Sequence, residues 1–336
     1  MGKALRVLFA GSPEIAVPAL RVLASPGMED VCELAGALTN PDAPKGRRCS
    51  LEPTPAGAEA AALSAALLER GKSGLALLKP ERLGAAAREA AAALKPDLLV
   101  CFAYGRIFGP KFLEIFPLGG INIHPSLLPK YRGPTPIQAA ILNRDAETGV
   151  SIQRIALEMD AGDILAQERF PLTGRETAAS LSGIAAQKGA EMLAAIVRKL
   201  AASSGGIAGT HQNPGEAVYC RLLKKEDGRI DWKAGALEID ARIRAFNPWP
   251  LCMTFHGKTE LYILEGRPLE EGGTPCATES CAPPGTALGA GKGRGILIQT
   301  GNGIYAVQRL QYRAKKALDW RSFLNGAPGF LGSRLT

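Results

Sequence analysis

The stretch Ile121 to Pro129, I-N-I-H-P-S-L-L-P, sets a side-chain amide, Asn122, two positions before an imidazole, His124, directly after an apolar run. On an extended backbone alternate residues face the same way, so both polar heads can meet one substrate atom. Asp160 follows in L-E-M-D-A-G-D-I-L (157–165), a carboxylate on a glycine-containing turn. Two hydrogen-bond donors and a carboxylate that can orient the ring suit acyl-group transfer, in which an oxygen gains negative charge at the transition state.

These groups need a scaffold. Arg6 to Ala10 reads as a buried strand stopped by Gly11-Ser12-Pro13, with a helix from Ile15 to Ala24 after it. Leu34 to Leu38, Asp97 to Phe102, Gly120 to His124 and Val150 to Ile155 are further strand candidates, interleaved with alanine-rich helices over 56–68 and 85–94. This alternation predicts a doubly wound, Rossmann-like α/β domain with a parallel sheet covered on both faces. Ligands in such folds lie beyond the carboxyl ends of the strands, where Asn122 and His124 stand. A long helix over 178–201, with Leu181, Ile184, Ala185, Leu193, Ile196 and Val197 in helical period, ends at Ser203-Ser204-Gly205-Gly206. Residues 207–215 have linker composition, so the expected division is 1–206, a linker, and 216–336. The last part, with short strands near 253–255, 261–264, 295–300 and 303–310 between glycine-rich turns, predicts a smaller OB-like β-barrel.

The chain has 336 residues, 46% hydrophobic and 21% charged, with a formal charge of +8. Residues 1–206 carry 23 basic against 20 acidic side chains and residues 207–336 carry 17 against 12, so the shorter part is the more basic and invites a polyanion. Seven cysteines without CxxC spacing predict reduced thiols rather than a disulfide framework or a zinc site. No signal-peptide core and no membrane-length apolar run is present, which leads to an expectation of a cytoplasmic protein. Gly71-Lys72-Ser73 lacks the earlier glycine of a phosphate loop, and 285–295 leads into a strand rather than a helix, so it is read as a hairpin connection.

N-I-H-P-S-L-L-P, followed by Y-R-G-P-T-P-I-Q, D-A-E-T-G-V and M-D-A-G-D, resembles the folate-dependent formyltransferases. L-R-V-L-F-A-G-S-P-E, N-P-D-A-P-K-G-R-R and I-D-W with R-A-F-N-P-W-P are similar to the bacterial-type branch that acts on methionyl-tRNA. The resemblance covers most of the chain. It implies 10-formyltetrahydrofolate as donor, the α-amino group of initiator methionyl-tRNA as acceptor, no metal, and a role in translation initiation; a monomer is expected. It also implies Asn122, His124 and Asp160 as the catalytic set, Asp163 supporting the turn.

For the folate it implies Ser126, Leu127, Leu128 and Pro129, with Arg106, Ile107 and Phe108 from the loop after the preceding strand. For the tRNA it implies the loop 40–55, with Arg47 matching the family's key arginine and Lys45 and Arg48 beside it; its prolines argue against regular structure. Arg221, Lys224, Lys225, Arg242, Arg244, Arg313, Lys315 and Lys316 are candidates for a phosphate-binding face. The rivals are a small-acceptor formyltransferase, a formyl-folate hydrolase and a catalytically inert tRNA-binding protein. A dehydrogenase is disfavoured because Gly11-Ser12-Pro13 lacks the remaining glycines of its fingerprint.

Overall fold

The computed structural model describes residues 4–45, 50–203, 206–271, 274–275, 282–291 and 293–336. The chain divides into unit 1, residues 1–136, 147–171 and 182–221, and unit 2, residues 137–146, 172–181 and 222–336.

Strand β1 (Leu5–Gly11) is apolar and buried from Val7 onward, as a central strand covered on both faces must be. It leads through a 3-10 turn into α1 (Val17–Leu23), whose Leu20 and Leu23 are buried. Gly11 lets this helix close on the sheet, because a Cβ there would stand 2.8 Å from Ala16 Cβ and from Phe102 O. β2 (Cys32–Leu38), the short β3 (Ala43–Lys45) and β4 (Ser50–Glu52), α2 (Pro55–Glu69), β5 (Ala76–Leu78) and α3 (Ala85–Ala93) follow. After them come β6 (Leu98–Phe102), α4 (Pro110–Leu113), β7 (Gly120–His124), α5 (Pro136–Leu142), β8 (Glu147–Arg154), β9 (Ile164–Pro171) and α6 (Ala178–Ala202). The sheet of unit 1 has the order β5-β2-β1-β6-β7-β8-β9.

The first five of these strands are parallel, but β7 pairs with β8, and β8 with β9, antiparallel. The expected parallel sheet is thus continued at one edge by two antiparallel strands. The connection 155–163 between β8 and β9 is too short for a parallel crossover, so the chain must reverse there. The loop expected to lack regular structure contains the two-stranded β3–β4 hairpin. A hairpin with no third strand tolerates Pro44, which has no N–H to give. Within α6, Gly189 lies against the sheet, where a Cβ would meet Ile123 at 2.8 Å. Leu193, Ile196 and Val197 face the same core, whereas Ile184 is 39% exposed and leaves the expected apolar stripe.

Unit 2 contains α7 (Ala236–Ala245), β10 (Cys252–His256), β11 (Thr259–Pro268), β12 (Glu270–Glu271), β13 (Thr274–Pro275), β14 (Ala287–Gly291), β15 (Gly295–Gln299), β16 (Ile304–Tyr312), β17 (Leu318–Asp319) and α8 (Trp320–Asn325). Its main sheet is antiparallel in the order β10-β11-β16-β15-β14. The final residues join its two ends, since Leu335 bridges to His256 and Arg334 to Thr286. Here the structure differs from the sequence reading again: the glycine-rich run 285–295 carries β14. Ile239 and Ile243 of α7 and Leu261 and Ile263 of β11 are buried in its core.

Candidate active site

In unit 1 the carboxyl ends of β1, β2, β6 and β7 lie together, tied by side chains just past them. Ser12 Oγ accepts from the Asn40 backbone N–H at 3.1 Å, and Asn40 Nδ2 donates to the Tyr104 carbonyl at 3.2 Å. Asn122 is paired with Cys101 across β6 and β7, and burial pushes the Cys101 thiol up to about 12, so it carries no reactive thiolate.

The structure brings Asn122, His124 and Asp160 together. Asn122 Nδ2 donates to Asp160 Oδ1 at 3.4 Å, and His124 Nδ1 stands 3.6 Å from Asp160 Oδ2. His124 is 4% exposed, and its Nε2 lies 2.8 Å from the Tyr131 carbonyl, which only accepts, so Nε2 carries a hydrogen. Asp160 has φ +53, a left-handed conformation that aspartate tolerates better than most residues. Its Oδ2 accepts the Gly133 N–H at 2.8 Å and its Oδ1 accepts Gln153 Nε2 at 2.9 Å. Two glycines let the chain close here. Gly133 has φ +111 and a Cβ on it would run into the Cys220 carbonyl, while a Cβ on Gly162 would run into that of Arg154. Asp163, expected to support the turn, has its Oδ1 3.1 Å from Nδ1 of the His211 ring.

Three residues that the sequence reading missed complete the site. Gln153, Gln212 and Arg132 are respectively 1%, 2% and 3% exposed. Gln212 Nε2 lies within bonding distance of Gln153 Oε1 (3.1 Å), the Asp160 carbonyl (2.9 Å) and the Gly162 carbonyl (2.7 Å). Arg132 Nε donates to Gln212 Oε1 at 3.0 Å, and its Nη1 donates to Tyr219 Oη at 2.9 Å. The signal for Arg132 stood in Y-R-G-P, whereas Gln212 lies in the segment whose composition suggests a linker. That segment is tied into unit 1, with Thr210 bridging Ile164.

The folate residues divide. Ser126 is fully buried and donates to the Lys130 carbonyl at 2.6 Å, and Leu128, 3% exposed, has its carbonyl held by Gln167 at 3.0 Å. Leu127 packs beside Gly149, and Pro129 accepts from the Val218 N–H at 3.2 Å. The side chains of Ser126 and Leu128 thus shape the loop from inside rather than presenting a surface to a ligand. Phe108 is likewise buried, stacked on Tyr104 at 5.5 Å, and Arg106 Nε is held by Asn40 at 2.8 Å. Ile107 is 74% exposed, and the main-chain groups of residues 105–108 hydrogen-bond to nothing else among the described residues. An open apolar side chain beside unpaired backbone donors and acceptors fits a flat heterocycle with a polar edge.

Of the tRNA residues, Arg47 and Arg48 lie outside the described residues, and Lys45 ends β3. Of the basic face expected in the second part, Arg244 is paired with Asp240 at 2.6 Å and Arg313 with Glu260 at 2.9 Å, while Arg242 donates to the Asp227 carbonyl at 2.6 Å. His256 bonds Tyr312 Oη at 2.7 Å inside an aromatic cluster, a structural place.

The sequence pattern of the family described as "Formyl transferase" matches residues 5–197, and that of "Formyl transferase, C-terminal domain" matches residues 222–328. The chain is 45% identical over 333 residues to "Methionyl-tRNA formyltransferase" of Treponema denticola, covering 97% of this chain and 98% of that one. It is 36% identical over 328 residues to the protein of the same name from Borrelia duttonii, covering 98% and 99%. Among solved structures, HypX from Aquifex aeolicus in complex with tetrahydrofolic acid matches with TM-score 0.61 at 18% identity, over 96% of this chain and 47% of that one. An N-formyltransferase from Helicobacter canadensis, in complex with folinic acid and dTDP-3-aminofucose, matches with TM-score 0.60 at 20% identity, over 92% and 99%. The last two likenesses are of fold.

Proposed function

The chain belongs to the formyl transferase family, among the methionyl-tRNA formyltransferases, and from that premise we propose that Asn122, His124 and Asp160 carry the transfer of a formyl group from 10-formyltetrahydrofolate to the α-amino group of initiator methionyl-tRNA. The observation that carries the reading is the meeting of the amide, the ring and the carboxylate at the end of β7, inside a chain that matches its relatives almost end to end.

Attack requires a neutral amine. A free α-amino group titrates near ~8, and esterification of the carboxyl lowers this further, so little activation is needed at neutral pH. The greater demand is the charge that builds on the formyl oxygen as the nitrogen adds. Asn122 reaches Asp160 only at 3.4 Å, a long bond that gives way readily, so its N–H is available to that oxygen. His124 has a donor at Nε2, which exchanges the Tyr131 carbonyl for the oxyanion. Asp160 faces the other ring nitrogen, orients the imidazole and offsets the charge taken up when the ring accepts a proton. The amine's proton has to reach the departing N10, and His124 is the proposed carrier, taking it on Nδ1, the ring nitrogen without a hydrogen. Formyl arrives already activated, so positioning and charge stabilisation supply the rate.

Ile107 and the main chain of 105–108 are the surface proposed for the pterin, with the Leu127 to Pro129 loop beside His124. Lys45, Arg47 and Arg48 are proposed as tRNA contacts. Among the described residues no helix is long and apolar enough to cross a membrane; a cytoplasmic monomer remains part of the proposal.

The test is formyl transfer to methionyl-tRNA made on initiator and on elongator tRNA, with Asn122→Ala and His124→Ala alongside. Transfer to the initiator species, lost by about 100-fold or more in each variant, is the expected result. Release of tetrahydrofolate without formylated tRNA would assign the site to hydrolysis instead.

A further inference from the structure

Unit 2 contains a cavity of about 920 Å³ that takes no part in the chemistry above. Five arginines line it, Arg144, Arg175, Arg244, Arg267 and Arg294, and no lysine does. They come from five separated places in the chain: the turn after α5, the turn before α6, α7, the end of β11, and the turn between β14 and β15.

What singles the cavity out is how the unit uses its arginines. Outside it, the side chain of each described arginine of the unit has a partner, either another side chain or a backbone carbonyl. Arg309 is paired with Glu265 and Arg313 with Glu260, while Arg242 and Arg334 donate to backbone carbonyls. Arg229 and Arg321 lie over the rings of Phe255 and Trp320. Within the cavity Arg244 has Asp240 at 2.6 Å. Among the described residues, the side chains of Arg144, Arg175, Arg267 and Arg294 have no hydrogen bond, ion pair or ring contact, and all four line this one cavity.

The carboxylates on its wall are occupied. Asp240 serves Arg244, Glu176 accepts from Thr173 N and Oγ1 at 2.8 and 2.7 Å and from Gly174 N at 3.1 Å, and Asp145 is engaged as well. The wall carries five arginines against three carboxylates, and four of the guanidinium groups have no direct partner among the described residues, an excess of positive charge that favours a multiply charged anion. Their planar forks match phosphate oxygens two at a time, which a lysine does not. The volume falls in the range of small-ligand sites, and Ile141, Leu172, Leu237 and Leu269 supply apolar wall for a ring that a bare phosphate would not need. We propose that this cavity is a binding site for a phosphorylated small molecule of nucleotide size, with the phosphates on Arg144, Arg175, Arg267 and Arg294.

Calorimetric titration of the full chain at fixed ionic strength with ADP, pyrophosphate and adenosine tests this without depending on the formyl-transfer reading. ADP and pyrophosphate should saturate one site and adenosine should not. The double variant R175Q/R267Q, checked to melt like the parent in the absence of ligand, should bind ADP about tenfold or more weakly. R309Q, outside the cavity, should bind as the parent does. Failure of both phosphates to saturate, or an equal loss in R309Q, would overturn the proposal. So would a double variant whose only defect is a raised KM for methionyl-tRNA, which would make these arginines contacts to RNA.

Discussion

Both carboxylate oxygens of Asp160 are acceptors of a fixed donor, Gly133 N–H on one and Gln153 Nε2 on the other. Asparagine has a single acceptor oxygen, so Asp160→Asn sets an NH2 against one of these donors and withdraws the charge facing His124. The expected result is a loss of formyl transfer together with a destabilisation of about 1–3 kcal/mol in denaturant melts; a variant of parental stability and rate would show that Asp160 is a turn residue only. Gln212 sits one layer further out and touches no reacting atom. Gln212→Leu removes the donor that holds the Asp160 and Gly162 carbonyls and leaves Arg132 Nε without its acceptor. It should lower kcat by roughly tenfold while leaving the KM for the folate little changed, with Gln212→Glu restoring the acceptor for Arg132 but not the donor. The buried thiols give a different reading at this scale. Burial raises Cys32 to about 11 and Cys101 and Cys252 to about 12. A folded pKa above the unfolded value of ~8.5 means stability that is complete below that pH and lost as pH rises toward the folded values. Alkylation at pH 8, followed by peptide mapping, should therefore leave these three thiols unmodified until the protein is denatured, and labelling in the native protein would contradict the burial.

At the scale of elements, what was legible in the sequence followed burial. β6 reads as an unbroken apolar run, β1 is apolar from Val7 onward, and β7 is apolar except for Asn122 and His124 themselves, so these strands and the place of the two polar residues at the end of β7 are legible from composition. β9 is an edge strand whose outward positions are Gln167 or charged Arg169, and β5 has three residues, too few for any period to show. The direction of β8 and β9 depends on the tightness of the M-D-A-G-D turn, a property of Gly162 packing under the Arg154 carbonyl rather than of hydrophobic pattern. Gln153 and Gln212 were illegible for the same reason: a buried polar side chain is recognisable only by its partners, and those are distant in sequence. This makes the turn testable by itself. Gly162→Ala has to displace the Arg154 backbone, so it should cost about 2 kcal/mol or more and reduce transfer by moving Asp160; Gly174→Ala, in a turn where a Cβ meets nothing within 4 Å, bears only the backbone strain of φ +79 and should leave the rate unchanged.

For the whole molecule the relevant quantity is charge. The chain carries 40 basic against 32 acidic residues, and the proposed acceptor is a polyanion whose condensed counterions are released on binding. The two substrates should therefore separate by their response to salt. With three phosphate contacts the acceptor's affinity falls roughly 40-fold between about 50 and 200 mM salt, whereas the KM for the folate has no comparable polyelectrolyte term. If Lys45, Arg47 and Arg48 supply such contacts, replacing all three with glutamine should reduce the slope of log KM for methionyl-tRNA against log salt by about 3. The rate at saturating tRNA should stay near that of the parent, because none of the three belongs to the Asn122, His124 and Asp160 cluster. A slope equal to the parent's would place the RNA contacts elsewhere on the chain, and a fall in kcat with unchanged slope would mean that the loop orders the acceptor end rather than holding its phosphates.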